Sequence, residues 1–293
     1  MVRPVSRDWR QAGALVAFPA KGRRLDGFLS RGEKRQPVLL VLVHGMGGDF
    51  YHSALKKELM VRAPSAGCDM LSFNNRGSGE GVRTERFSDC LADLDAALAF
   101  GRREGYRRFV LAGHSTGCQK IAYFQGRRQD SSIEALVHLA PGDDYAIVRR
   151  DMGARALTRL AGWARGRVAA GRGEVPVPSG KGLPEMCAGF SARRFLSIAD
   201  ARQIEAGLFG YDGPLRLFSR LTLPMQVLFG DKEEFACRPP AEMGDILRQK
   251  TASTHFRFSL IPGADHGFHG KERETAGAVY AFVRSLSRKK GRL

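Results

Sequence analysis

Six consecutive apolar residues, Val38–Val43 (VLLVLV), constrain this chain more than any other stretch. Side chains alternate between the two faces of a strand, so an unbroken apolar run needs both faces buried. A sheet covered by helices on each side provides that environment. Similar runs recur at residues 70–73, 109–112, 135–139 and 225–229. Phe256–Ile261 alternates more, as suits a strand nearer a sheet edge. Helical spacing fills the gaps. Residues 87–100 place Leu91, Leu94 and Leu98 on one face, and 117–125 and 273–286 read the same way. Strand–helix alternation predicts an α/β fold with a mostly parallel sheet and helices on both faces. Residues 16–18 and 27–29, joined by a turn at 21–24, predict an antiparallel hairpin leading into it.

The rhythm breaks between residues 143 and 223, where no buried strand is expected. Residues 161–184 are rich in Gly, Arg and Pro and read as a flexible connector or lid edge. Residues 187–209 carry Phe190, Phe195, Leu196, Ile198, Ile204, Leu208 and Phe209, enough for one or two helices. The expected organisation is a core of residues 1–142 and 224–293, interrupted by a helical cap at 143–223. The basic tail 287–293 is expected to fray.

The net charge of +17 raises the question of an anionic partner. Arginine pairs such as Arg102 with Arg103, Arg127 with Arg128, and Arg193 with Arg194 are scattered along the chain. None is interleaved with aromatics as a base-stacking surface requires, so a basic surface is favoured over nucleic-acid binding. No apolar run reaches the length of a membrane span. Arg3, Arg7 and Arg10 are not followed by an apolar segment, so a secretory signal is not expected. Five cysteines, none at CxxC spacing, argue against a disulfide framework or zinc site and suit a cytoplasmic location.

The chemistry concentrates in four places. Gly113-His114-Ser115-Thr116-Gly117 fits G-x-S-x-G directly after one strand and before one helix. That setting makes a sharp turn and presents Ser115 at the carboxyl end of the sheet, at a helix N-terminus. His44-Gly45-Met46-Gly47-Gly48 follows the first buried strand. Acyl transfer needs two N–H donors for the oxyanion; the expected pair is Thr116 and Met46. A serine also needs a base. His266, in Pro262-Gly263-Ala264-Asp265-His266-Gly267-Phe268, follows the last strand at the same sheet edge, with His269 as its nearby competitor. His44 reads as a loop brace and His138 as a core residue. The acid that orients the base falls in Gly230-Asp231-Lys232-Glu233-Glu234-Phe235. Glu233, three residues after the glycine, is favoured over Asp231; Glu234 suits a solvated turn charge.

These motifs, with Asn75-Arg76-Gly77 after the second buried strand, resemble the α/β-hydrolase superfamily over residues 38–286. Residues 113–119 (GHSTGCQ) followed by Ala140-Pro141-Gly142-Asp143-Asp144 look like a branch that includes siderophore-ester hydrolases and uncharacterised esterase-like proteins. The family usually has Asp where Glu233 stands. The resemblance implies a serine hydrolase acting on a small-molecule ester, with no metal and no organic cofactor. A thioesterase or acyltransferase on the same fold, or a non-catalytic binding module, is the alternative.

Overall fold

A computed structural model describes residues 10–180 and 182–290, the last four by backbone alone. The N-terminal stretch considered for a secretory signal lies outside them, apart from Arg10. The chain opens with β1 (Gly13–Ala20), β2 (Arg23–Ser30) and β3 (Val38–Val43). It continues with α1 (Ala54–Arg62), β4 (Asp69–Phe73), α2 (Cys90–Arg103), β5 (Arg108–His114), α3 (Thr116–Arg128) and β6 (Ile133–Leu139). Four helices follow without a strand of the sheet: α4 (Asp144–Met152), α5 (Ala154–Ala169), α6 (Ala192–Ala199) and α7 (Ile204–Leu208). The chain then returns through β7 (Met225–Gly230), α8 (Pro240–Lys250), β8 (Phe256–Ile261) and α9 (Glu272–Lys290).

The eight strands form one sheet in the order β1-β2-β4-β3-β5-β6-β7-β8. β1 and β2 are the expected hairpin, and β2 joins β4 antiparallel. From β4 to β8 every pairing is parallel. All six residues of β3 are buried, and its position between β4 and β5 explains why. β8 lies at the edge, where only one neighbour covers it, and its burial is patchy accordingly. This is the mostly parallel sheet that the strand–helix alternation predicts.

Two expectations need correction. Residues 161–169 are not a connector but the second half of α5. Leu157, Ala161 and Ala164 form its buried stripe, and nothing approaches Gly162 or Gly166 on the outer side. Exposed arginines and glycines hid a narrow stripe of small residues. Arg194 is also not a surface charge: its side chain is fully buried against Glu205. The tail is helical as far as Lys290.

α4, α5 and α6 share an apolar cluster of their own, including Val148, Leu157, Phe190, Phe195 and Ile198, separate from the main core. Met46 and Val82, from loops of the sheet, pack against that cluster.

Candidate active site

Five loops at the carboxyl ends of β3, β5, β6, β7 and β8 converge on one edge of the sheet, where parallel α/β folds build their sites. The β5–α3 turn is the tightest. Ser115 sits between strand and helix with φ 54° and ψ −128°, a conformation that L side chains avoid at a cost of about 1–2 kcal/mol. Its N–H is held by the Leu139 carbonyl at 2.9 Å. Glycine is required on both flanks. A Cβ at Gly113 would lie 2.4 Å from the Gly117 backbone, and one at Gly117 only 2.1 Å from the Val43 carbonyl oxygen. The β3 loop comes equally close: a Cβ at Gly45 would stand 2.8 Å from the Ser115 Cβ.

His266 lies across from this turn. Its Nδ1 is 2.8 Å from Glu233 Oε1, and the side chains are 15 % and 3 % exposed. A carboxylate only accepts, so Nδ1 carries the proton and Nε2 of the neutral ring is left with a lone pair. Phe235 packs edge-on to the imidazole with centroids 4.9 Å apart. The three neighbouring carboxylates have separate partners. Glu233 holds the imidazole, Glu234 Oε2 accepts the His266 backbone N–H at 2.8 Å, and Asp231 Oδ1 accepts the Gly263 N–H at 2.7 Å. Asp231 and Glu234 thus tie the β7 loop to the β8 loop. The competing His269 has an exposed side chain and pairs with Asp265.

The His114 ring lies 5.1 Å from that of His266, centroid to centroid, and its Nε2 donates to the His266 carbonyl at 2.9 Å. Burial, with the nearby His266 next in effect, pushes its imidazole down to about 3. His44 braces its loop as expected. Nδ1 donates to the Gly45 carbonyl at 2.7 Å and Nε2 accepts the Asn75 N–H at 3.1 Å. Burial and then Lys120 lower it to about 3, so it stays neutral.

Ser115, Thr116, Met46 and His266 line one cavity of about 530 Å³. Ile147, Met186, Phe190 and Phe235 give it apolar walls, three of them from residues 143–223. Thr116 begins α3, and the first N–H groups of a helix have no partner within it. Among the described residues no group of three His, Cys, Asp or Glu side chains could hold a metal ion.

Sequence reasoning missed the support beneath this cavity. Lys120 is fully buried, 2.5 Å from Glu85 Oε1 and 3.0 Å from Asn75 Oδ1. Asn75 also accepts the Gly77 N–H, so the pair fixes the loop after β4 against the His44 loop. The only signal was Lys120 itself, a charge on the face of α3 that its neighbours Ile121 and Phe124 make apolar.

A family model described as the alpha/beta hydrolase family matches residues 40–279. The chain belongs to that family. No curated protein matches it in sequence. Among solved structures it is similar to the siderophore hydrolase EstB from Aspergillus fumigatus, at 19 % identity and a TM-score of 0.70, over 98 % of this chain and 99 % of that one. It is similar to Est1E from Butyrivibrio proteoclasticus with ferulic acid bound, at 16 % identity and a TM-score of 0.66, over 93 % and 99 %. A highly thermostable carboxyl esterase from Bacillus coagulans, at 11 % identity and a TM-score of 0.68, covers 94 % of this chain and 99 % of its own. At these identities the likeness establishes the shared fold.

Proposed function

We propose that the chain is a carboxylic-ester hydrolase using Ser115, His266 and Glu233 in sequence. One observation carries the reading: a strained serine shares a cavity with an imidazole whose far nitrogen is held by a buried carboxylate. The printed names of the similar structures, a siderophore hydrolase and a carboxyl esterase among them, support ester chemistry on this fold.

In this mechanism Ser115 Oγ attacks the ester carbonyl carbon as His266 Nε2 takes its proton. Glu233 keeps the imidazole in the reactive tautomer and stabilises the imidazolium. The N–H groups of Met46 and Thr116 receive the oxyanion. The tetrahedral intermediate collapses, His266 protonates the departing alkoxide, and an acyl-serine remains. A water molecule, deprotonated by His266, then releases the acid and restores Ser115. Residues 143–223 act as a cap between the core segments 1–142 and 224–293, supplying cavity walls that exclude bulk water.

The test is a pre-steady-state assay with p-nitrophenyl butyrate. A burst of p-nitrophenol equal to the enzyme concentration is expected, together with labelling of Ser115 by a fluorophosphonate. Absence of both would reject the esterase reading. The choice of acid has its own check. Glu233→Gln is expected to lower kcat by about 10²-fold or more by favouring the wrong imidazole tautomer. Asp231→Asn should cost less than about tenfold, because it alters only a loop tie. The reverse order would make Asp231 the acid.

A further inference from the structure

One buried group in the cavity has no part in that mechanism. Asp144 opens α4 and lines the same cavity as Ser115, though only 5 % of it is exposed. Gln119 Nε2 donates to its Oδ2 at 3.1 Å and to the Gly142 carbonyl at 3.0 Å. Two buried ion pairs influence it electrostatically. Lys120 is matched by Glu85, and Arg194 is matched by a two-pronged contact to Glu205 at 2.6 and 3.0 Å. Those charges cancel, which leaves Asp144 as the surplus carboxyl. Burial pushes it well above the usual carboxylate range, and Glu205 adds to the rise.

Polar atoms without partners accompany it. The Thr116 hydroxyl and Gln119 Oε1 are both buried with no hydrogen bond among the described residues. Thr116 lines the cavity, and Gln119 is bonded to Asp144. A buried polar group left unpaired costs about 1–3 kcal/mol, so the Thr116 hydroxyl, on the wall of the cavity that Asp144 also lines, is a place for a ligand to bond. The cavity mouth has the same sign. Glu80, Glu185 and Arg83 line it, and Arg83 is matched by Glu80 at 2.5 Å. On a chain of net charge +17, this cavity carries an excess of carboxyls.

We propose that Asp144, Gln119 and the Thr116 hydroxyl form a subsite for a cationic amino group on the substrate. An ammonium donates N–H bonds, and the cavity wall offers it two acceptors, the Asp144 carboxylate and the Thr116 hydroxyl oxygen, with Gln119 holding the carboxylate from behind. Its positive charge favours the ionised form of Asp144, and any proton on that carboxyl leaves to solvent as the ammonium enters. The preferred substrates are therefore esters bearing a free amine, contrary to the anionic substrate that the basic surface suggests. This inference rests on the esterase reading.

The test compares the p-nitrophenyl esters of 6-aminohexanoic and heptanoic acids, which match in chain length. Wild type is expected to favour the cationic ester at least about tenfold in kcat/KM, the discrimination of one good charge-assisted contact. Asp144→Asn should bring that ratio to one or below; the ratio within each protein cancels general loss of activity. A wild-type ratio of one or less, or a preference that survives Asp144→Asn, overturns the subsite. Calorimetric titration of wild type with hexylammonium chloride and 1-hexanol decides the matter without turnover or the variant. Tighter binding of the ammonium supports the subsite and equal binding overturns it. Loss of hydrolysis of both esters would instead count against the esterase reading.

Discussion

Ser115→Ala is expected to lower kcat/KM for p-nitrophenyl butyrate by about 10⁴-fold or more, or about 5.5 kcal/mol of transition-state stabilisation. Without the hydroxyl no acyl-enzyme forms, and the burst of p-nitrophenol disappears with it. A residue of activity from the N–H donors and the cavity should remain, because they still bind the oxyanion of direct water attack. The fold should hardly respond. Alanine keeps the Cβ that already tolerates φ 54°, and the Leu139 carbonyl is held by the backbone N–H, not the hydroxyl. A melting temperature within about 2 °C of wild type is expected on that account. The double variant with His266→Ala should lose little more than Ser115→Ala alone, since base and nucleophile act as one unit. Hydrolysis within tenfold of wild type in Ser115→Ala would show that another group does the chemistry.

The parts of the fold that were legible share a physical cause. β3, β5, β6 and β7 lie inside the sheet, so continuous apolar runs were enforced by burial on two faces. Ser115 was legible because a turn this tight leaves no room for Cβ atoms at Gly113 or Gly117, and that requirement is written into the residue types. α5 was not legible over its second half, because only Ala161 and Ala164 face inward there. Its exposed glycines and arginines resemble a loop in composition. The burial of Arg194 was invisible for a different reason. Nothing local distinguishes it from Arg193; only Glu205, brought alongside by α7, makes its burial tolerable. The same applies to the acid. Spacing narrowed it to Glu233 and Asp231, but the partner of each depends on where the β8 loop lies. Asp144 escaped notice because nothing local marks it as buried; only α3, which brings Gln119 against it, does so.

Acid should unfold the protein, with stability beginning to fall above the range where carboxylates titrate. Burial pushes His44, His114 and His138 down to about 3 from an ordinary value of 6.5. Between those limits the unfolded chain binds protons that the folded one refuses, so stability is present above pH 6.5 and lost as pH falls toward 3. Each imidazole removes up to about 1.4 kcal/mol per pH unit, and three together about 4 kcal/mol. Net stability of a domain is about 5–15 kcal/mol, so about 1.2 to 3.7 units below pH 6.5 are enough. A midpoint of about pH 4–5 is expected from circular dichroism. Asp143 and Asp144 act in the opposite direction, because burial raises both and the folded state takes up protons first there. Their effect makes the slope shallower without reversing it. His138 isolates the cause. Both its nitrogens are buried without partners, and it packs edge-on against Phe209 and Phe218. Burial is the sole reason its imidazole resists protonation. His138→Leu removes that one titration and leaves no polar partner behind. The slope of stability against pH between 6 and 4.5 should fall by at least about a third, with the acid midpoint moving lower. An unchanged slope would mean that His138 does not resist protonation in the folded chain.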